Sequence, residues 1–134
     1  MTNKYVLDAH TVIWFLEGNP RLGVAATAIL QEQSSQLYLP VIALAEMCHI
    51  VDRGRTGIPS VARMLAAIDA DSRIIIVPLD RTIVDISLAL PRVGEMHDRL
   101  IVATTLFLAG DGTPTVLLSR DQNITASGYV TIIW

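Results

Sequence analysis

The chain has a single cysteine, Cys48, and a single lysine, Lys4, among its 134 residues. One cysteine excludes an internal disulfide, and a reducing cytoplasm is the compartment such usage implies. Cys48 is expected as a small apolar residue buried in the core. No apolar run approaches the ~20 residues that a membrane helix needs. The N-terminal apolar stretch is cut short by Asp8, which argues against a signal peptide. Internal repeats, low-complexity segments and linkers are also missing, so one domain over residues 1–134 is expected. A net charge of −3 provides no global attraction for nucleic acid. The basic residues other than Lys4 are all arginine, whose planar fork suits phosphate, although a habit of composition explains this equally well.

What the chain does have is apolar side chain. It is 51% hydrophobic with a mean hydropathy of +0.48, which argues for a well-filled core and against disorder. Lys4 to Leu7 reads as a short buried strand, followed at once by an apolar helix from Thr11 to Leu16 that stops at Gly18-Asn19-Pro20. Val24 to Gln33 has helical spacing, and Leu37-Tyr38-Leu39 is a short strand. Pro40 then stands at the first turn of a helix from Val41 to about Arg53, closed by Gly54. Ser60 to Ala70 is helical again. Arg73 to Val77 is β-branched and continuous, which predicts a strand buried on both faces. Asp80 to Ala89 and Asp98 to Leu108 read as helices, Thr115 to Leu118 and Tyr129 to Ile133 as strands. Strands alternating with helices predict an α/β fold, a parallel sheet flanked by helices on both faces.

Four carboxylates stand out against this apolar background. Asp8 falls at the end of the first strand, on the turn into a helix, the edge where open α/β sheets bind ligands. Glu46 sits in a helix whose other positions are nearly all apolar, with Ile42, Ala43, His49 and Ile50 three and four residues away. Unpaired burial there would cost several kcal/mol. Asp98 begins a helix and Asp121 follows a strand, positions on the same edge as Asp8. Each also has an ordinary reading: Asp8 as a helix cap, Asp98 as a first-turn helix acid, and Asp121 as the cap of a short turn through Asn123 and Ile124. An ion pair or a contact with His49 would equally account for Glu46.

Val6-Leu7-Asp8-Ala9-His10-Thr11, Ala45-Glu46, Met96-His97-Asp98-Arg99-Leu100-Ile101-Val102-Ala103-Thr104 and Leu118-Ser119-Arg120-Asp121 together resemble the PIN-domain nucleases. Within them the resemblance is greatest to the VapC toxins of toxin–antitoxin pairs, and it spans essentially the whole chain. It implies a three-layer α/β fold with an acidic pocket at the strand ends that binds Mg²⁺ or Mn²⁺. By position the implied catalytic and metal-binding tetrad is Asp8, Glu46, Asp98 and Asp121, with Ser119 as an accessory residue. Two departures are visible: His10 stands where many members have Ser or Asn, and Glu95-Met96 where many have Asp-Pro. The implied activity is metal-dependent endonucleolytic cleavage of single-stranded RNA, in a homodimer that also holds an antitoxin segment over the pocket. Hard cations favour such oxygen ligands, and Mg²⁺ typically takes one or two carboxylates. Arg99 and Arg120, beside two of the acids, are candidate RNA phosphate contacts or surface ion-pair partners.

Two other readings compete. Asp8-Ala9-His10-Thr11-Val12 partly matches the Asp-x-Asp-x-Thr signature of haloacid-dehalogenase phosphatases. His10, however, replaces the second Asp, and no lysine lies downstream. A PIN-like module that binds RNA or protein without cutting is the non-enzymatic reading, and an intact tetrad argues against it.

Overall fold

A computed structural model describes residues 2–134. Five strands form one sheet: β1 (Lys4–Leu7), β2 (Gln36–Pro40), β3 (Ile74–Val77), β4 (Thr115–Leu118) and β5 (Thr131–Ile133). Their order is β3-β2-β1-β4-β5 and every pairing is parallel. The helices are α1 (Ala9–Glu17), α2 (Val24–Gln31), α3 (Val41–Asp52), α4 (Val61–Ala70), α5 (Arg81–Leu88), α6 (Met96–Leu108) and α7 (Gln122–Ser127). Consecutive residues of β1 and β4 point to opposite faces, yet Val6, Leu7, Val116, Leu117 and Leu118 are all buried. Both faces of the central sheet are therefore covered, which makes this the three-layer α/β arrangement.

Local chemistry sets most element boundaries. Asp8, Ser60, Asp80 and Asp121 accept hydrogen bonds from the first backbone N–H groups of α1, α4, α5 and α7. Gly18 ends α1 with φ 65°, a left-handed conformation that glycine adopts without a Cβ penalty.

The structure departs from the sequence pattern in several places. The run Ile74–Val77 is not buried on both faces: it forms an edge strand, and Ile75 and Ile76 are 49% and 38% exposed. Pro40 closes β2 and stands before α3 rather than inside its first turn. α6 begins at Met96, because Glu95 caps it through the Asp98 N–H. β5 begins at Thr131, two residues later than expected. Cys48 is only half-buried.

The strand order reverses between β1 and β4. The chain leaves β1 towards β2 and β3 on one side, then returns to lay β4 and β5 on the other. The crevice beyond the carboxyl ends of β1 and β4 is therefore a topological switch point, the usual ligand position of open α/β sheets.

Candidate active site

Asp8 stands directly after β1, where Leu7 pairs with Leu118 of β4. Both of its oxygens are engaged. Oδ1 accepts from the Ala9 N–H at 2.7 Å, and Oδ2 accepts from the Ser119 hydroxyl at 2.8 Å. Ser119 Oγ in turn accepts from the Asp121 N–H at 3.1 Å. One buried hydroxyl thus links the two strand-end aspartates. Thr11 reinforces the junction, its hydroxyl donating to the Leu118 carbonyl at 2.7 Å. Asp121 Oδ1 accepts from Asn123 and Ile124 N–H at 2.8 and 3.0 Å, so its capping role is real.

Glu46 projects from the middle of α3 and Asp98 from the first turn of α6, two helices that pack against each other. Neither carboxylate has an ion-pair or hydrogen-bond partner among the described residues. Burial raises the Asp98 carboxyl to about 7, and the charges of Asp121, Asp8, Glu95 and Glu46 add to that effect. Burial also raises Glu46, followed by the charge of Asp8, while His10 and His97 work the other way. Asp8 is raised by burial against the opposing hydrogen bonds from Ser119 and Ala9. All four acids thus gather at one sheet edge, and Asp8, Glu46 and Asp98 are raised in part by the charge of the other acids. Strongly raised carboxyl pKa values in a crevice are a mark of functional sites.

The donor set is all oxygen, which suits a hard divalent cation. Among the described residues, no three His, Cys, Asp or Glu side chains stand close enough together to chelate one ion directly. The acids fit an ion that keeps much of its water and takes one or two protein oxygens, as Mg²⁺ does.

The two flanking arginines are placed differently. Arg99 is half-buried and its Nε donates to the Val93 carbonyl, which ties α6 to the loop before it. Arg120 is exposed, lies 5.8 Å over the Trp14 ring, and borders a recess shared with Asp8 and Asp121. Two residues near the acids escaped the sequence reading as contributors. Glu95 accepts from the Asp98 N–H at 2.9 Å and contacts His97 Nδ1 at 2.7 Å. The available signal was an acid three residues ahead of an apolar helical run.

The chain belongs to the PIN domain family, whose model matches residues 5–126. Among solved structures it is similar to a toxin–antitoxin complex from Klebsiella pneumoniae, with 16% identity, a TM-score of 0.69, and coverage of 97% of this chain and 96% of that one. It is similar to VapBC2 from Rickettsia felis bound to a fragment of its promoter DNA (13% identity, TM-score 0.67, 97% of both chains). Mycobacterium tuberculosis VapC20, a toxin that cleaves the Sarcin-Ricin loop, is a third (13%, TM-score 0.66, 94% and 96%). At these identities the likeness is one of fold. No curated protein sequence matches the chain.

Proposed function

We propose that this chain is a metal-dependent endoribonuclease that cleaves single-stranded RNA, and that it is the toxin of a toxin–antitoxin pair. The observation that carries the reading is the gathering of Asp8, Glu46, Asp98 and Asp121, without cationic partners, at the switch point of a PIN fold. A protein whose only task was stability would neutralise such a cluster, because mutual repulsion and burial both oppose it. Asp8, Glu46, Asp98 and Asp121 would hold Mg²⁺ or Mn²⁺, which supplies charge neutralisation at the phosphate and activation of water. The protein's own part is to fix the donors. Ser119 holds Asp8 and the backbone of Asp121 in one orientation, while the Glu46 and Asp98 carboxylates, free of hydrogen bonds, are left open to the ion. Arg120 borders the same recess and is a proposed phosphate contact, while Arg99 acts chiefly through the Val93 loop.

The phosphatase reading lacks support. Lys4 opens β1 at the opposite sheet edge from Asp8, where it pairs with Asp111 at 2.7 Å. The homodimer and the antitoxin partner belong to the proposal as well. Exposed Ile75, Ile76 and Leu79, and half-buried Trp14, Phe15 and Leu16, leave apolar surface for such contacts.

The deciding experiment incubates a labelled single-stranded RNA with the protein and Mn²⁺, and repeats it with EDTA. Cleavage that chelator abolishes is the expected result. Undiminished cleavage in EDTA, or none with Mn²⁺ or Mg²⁺, overturns the reading. Light scattering tests the dimer, and a monomeric mass at tens of micromolar counts against it.

A further inference from the structure

A groove of about 490 Å³ opens beside the acids and runs along α1 and α3. Its volume lies within the ~300–1,000 Å³ of typical ligand clefts. At one end stand His10 and Glu46, and at the other three arginines: Arg21 from the loop after α1, Arg53 at the end of α3, and Arg55 beyond it. All three are exposed, and none is ion-paired among the described residues. Four of the other six arginines are engaged, while Arg63 on α4 and Arg120 form no ion pair. Arg73 and Arg81 pair with Asp71 and Asp85, and Arg92 and Arg99 donate to backbone carbonyls. A favourable position at a helix C-terminus explains Arg53 alone. It does not explain why Arg21 and Arg55, from separate loops, line the same groove.

The two arginine-bearing loops are anchored by one residue. Glu17 Oε2 accepts from the Gly57 N–H at 2.6 Å, and Glu17 Oε1 accepts from Asn19 Nδ2 at 3.3 Å. Asn19 Oδ1 then accepts from the Arg21 N–H at 2.9 Å. The cations are thus presented from a fixed backbone. The rings of His10 and Trp14, 5.4 Å apart, also line the groove and offer π faces.

We infer that this groove carries the single-stranded nucleic acid on one side of the scissile bond, with Arg21, Arg53 and Arg55 as its phosphate contacts. The inference rests on the nuclease reading, which puts the reacting phosphate at the acids. A strand held there continues naturally along a groove that begins at Glu46 and ends at unpaired guanidiniums. Planar forks match phosphate oxygens bidentately, and aromatic rings accept bases without regard to sequence. In a chain of net charge −3, the affinity for a polyanion has to come from a local concentration of this kind.

The test is fluorescence anisotropy of a labelled mixed-sequence RNA 12-mer in EDTA, titrated at several salt concentrations. The probes are the wild type, the triple variant Arg21→Ala/Arg53→Ala/Arg55→Ala, and the control Arg63→Ala, whose arginine lies outside the groove. Three lost contacts at about 0.7 each reduce the log–log salt slope by about 2. Affinity at low salt falls by about tenfold or more, while Arg63→Ala stays near the wild type. The inference is overturned if the triple variant keeps the wild-type slope and affinity, if Arg63→Ala loses as much per arginine, or if the wild type binds no RNA. An acidic peptide that needs the three arginines, while RNA binding does not, would assign the groove to a protein partner and also overturn it. Binding in EDTA is independent of cleavage. Arginine-dependent binding with no metal-dependent cleavage would keep the groove and reject the nuclease.

Discussion

The two edges of the sheet treat charge in opposite ways. At the amino edge every charge near a strand start is matched. Arg73, just before β3, donates to both Asp71 oxygens at 3.0 and 2.9 Å, and to the Leu30 and Glu32 carbonyls at 2.8 Å. That hydrogen bonding holds Asp71 below the usual carboxylate range. Lys4 binds Asp111 and the Leu108 carbonyl, and its hydrogen bond draws Asp111 down to about 2. At the carboxyl edge Asp8, Glu46 and Asp98 are all raised, and none of them is ion-paired among the described residues. The amino edge uses charge to close the fold, and the carboxyl edge leaves its acids without ion-pair partners. On the proposed function, stability and reactivity occupy opposite ends of the same strands.

Breaking the carboxyl edge should have the largest effect. Asp98→Asn should reduce Mn²⁺-dependent RNA cleavage by about a hundredfold or more, with an unchanged circular dichroism spectrum. A gel assay reads this directly, and full activity would remove Asp98 from the site.

Breaking the amino edge should do the reverse. Arg73→Ala leaves two carbonyls and the Asp71 carboxylate without their partner, a loss of about 2–4 kcal/mol in urea unfolding. Cleavage per folded molecule should stay at the wild-type level. Loss of activity out of proportion to folding would undo the contrast between the edges.

The next effect is on pH dependence. Asp98 titrates at about 7 in the folded chain against an ordinary 3.8. Between those values the folded state holds the extra proton, so its contribution to stability is full below pH 3.8 and is lost as pH rises through 7. Solvent screens this half-buried group, which leaves about 1–2 kcal/mol. Urea midpoints in EDTA at pH 5.5 and 8.5 should differ accordingly, and Asp98→Asn should shrink the difference. Equal dependence in the variant would place its origin elsewhere.

The smallest effect sharpens the comparison. Ser119→Ala removes the hydroxyl donated to Asp8 and accepted from Asp121, at a cost of about 1 kcal/mol. Cleavage should fall further than stability, because Asp8 loses the partner that orients it. Unchanged kinetics would reduce Ser119 to a packing residue.

Much of this was legible along the chain. Helix starts at Asp8, Ser60 and Asp80 follow from capping, which involves neighbours one to three residues apart, whereas the short helix after Asp121 was expected only as a turn. The alternation of strands and helices announced a parallel sheet, and the position of each aspartate relative to its strand or helix indicated a shared edge. Glu46 was the clearest individual signal, since an apolar helix has no local use for a carboxylate.

Other features depend on contacts between distant segments. A β-branched run such as Ile74–Val77 has the same composition in a central or an edge strand, and only the order β3-β2-β1-β4-β5 exposed Ile75 and Ile76. The hydroxyl of Ser119 meets Asp8 across 111 residues of chain, through the pairing of Leu7 with Leu118. Arg21 and Arg53 line one groove because α1 packs on α3 and Glu17 secures the loops beside both. Short-range hydrogen bonding and hydrophobic period act within a few residues, so the sequence by itself determined the elements and the kinds of charge they carry. Which charges are answered and which are left open is set by strand order and helix packing, and only the tertiary structure decided that.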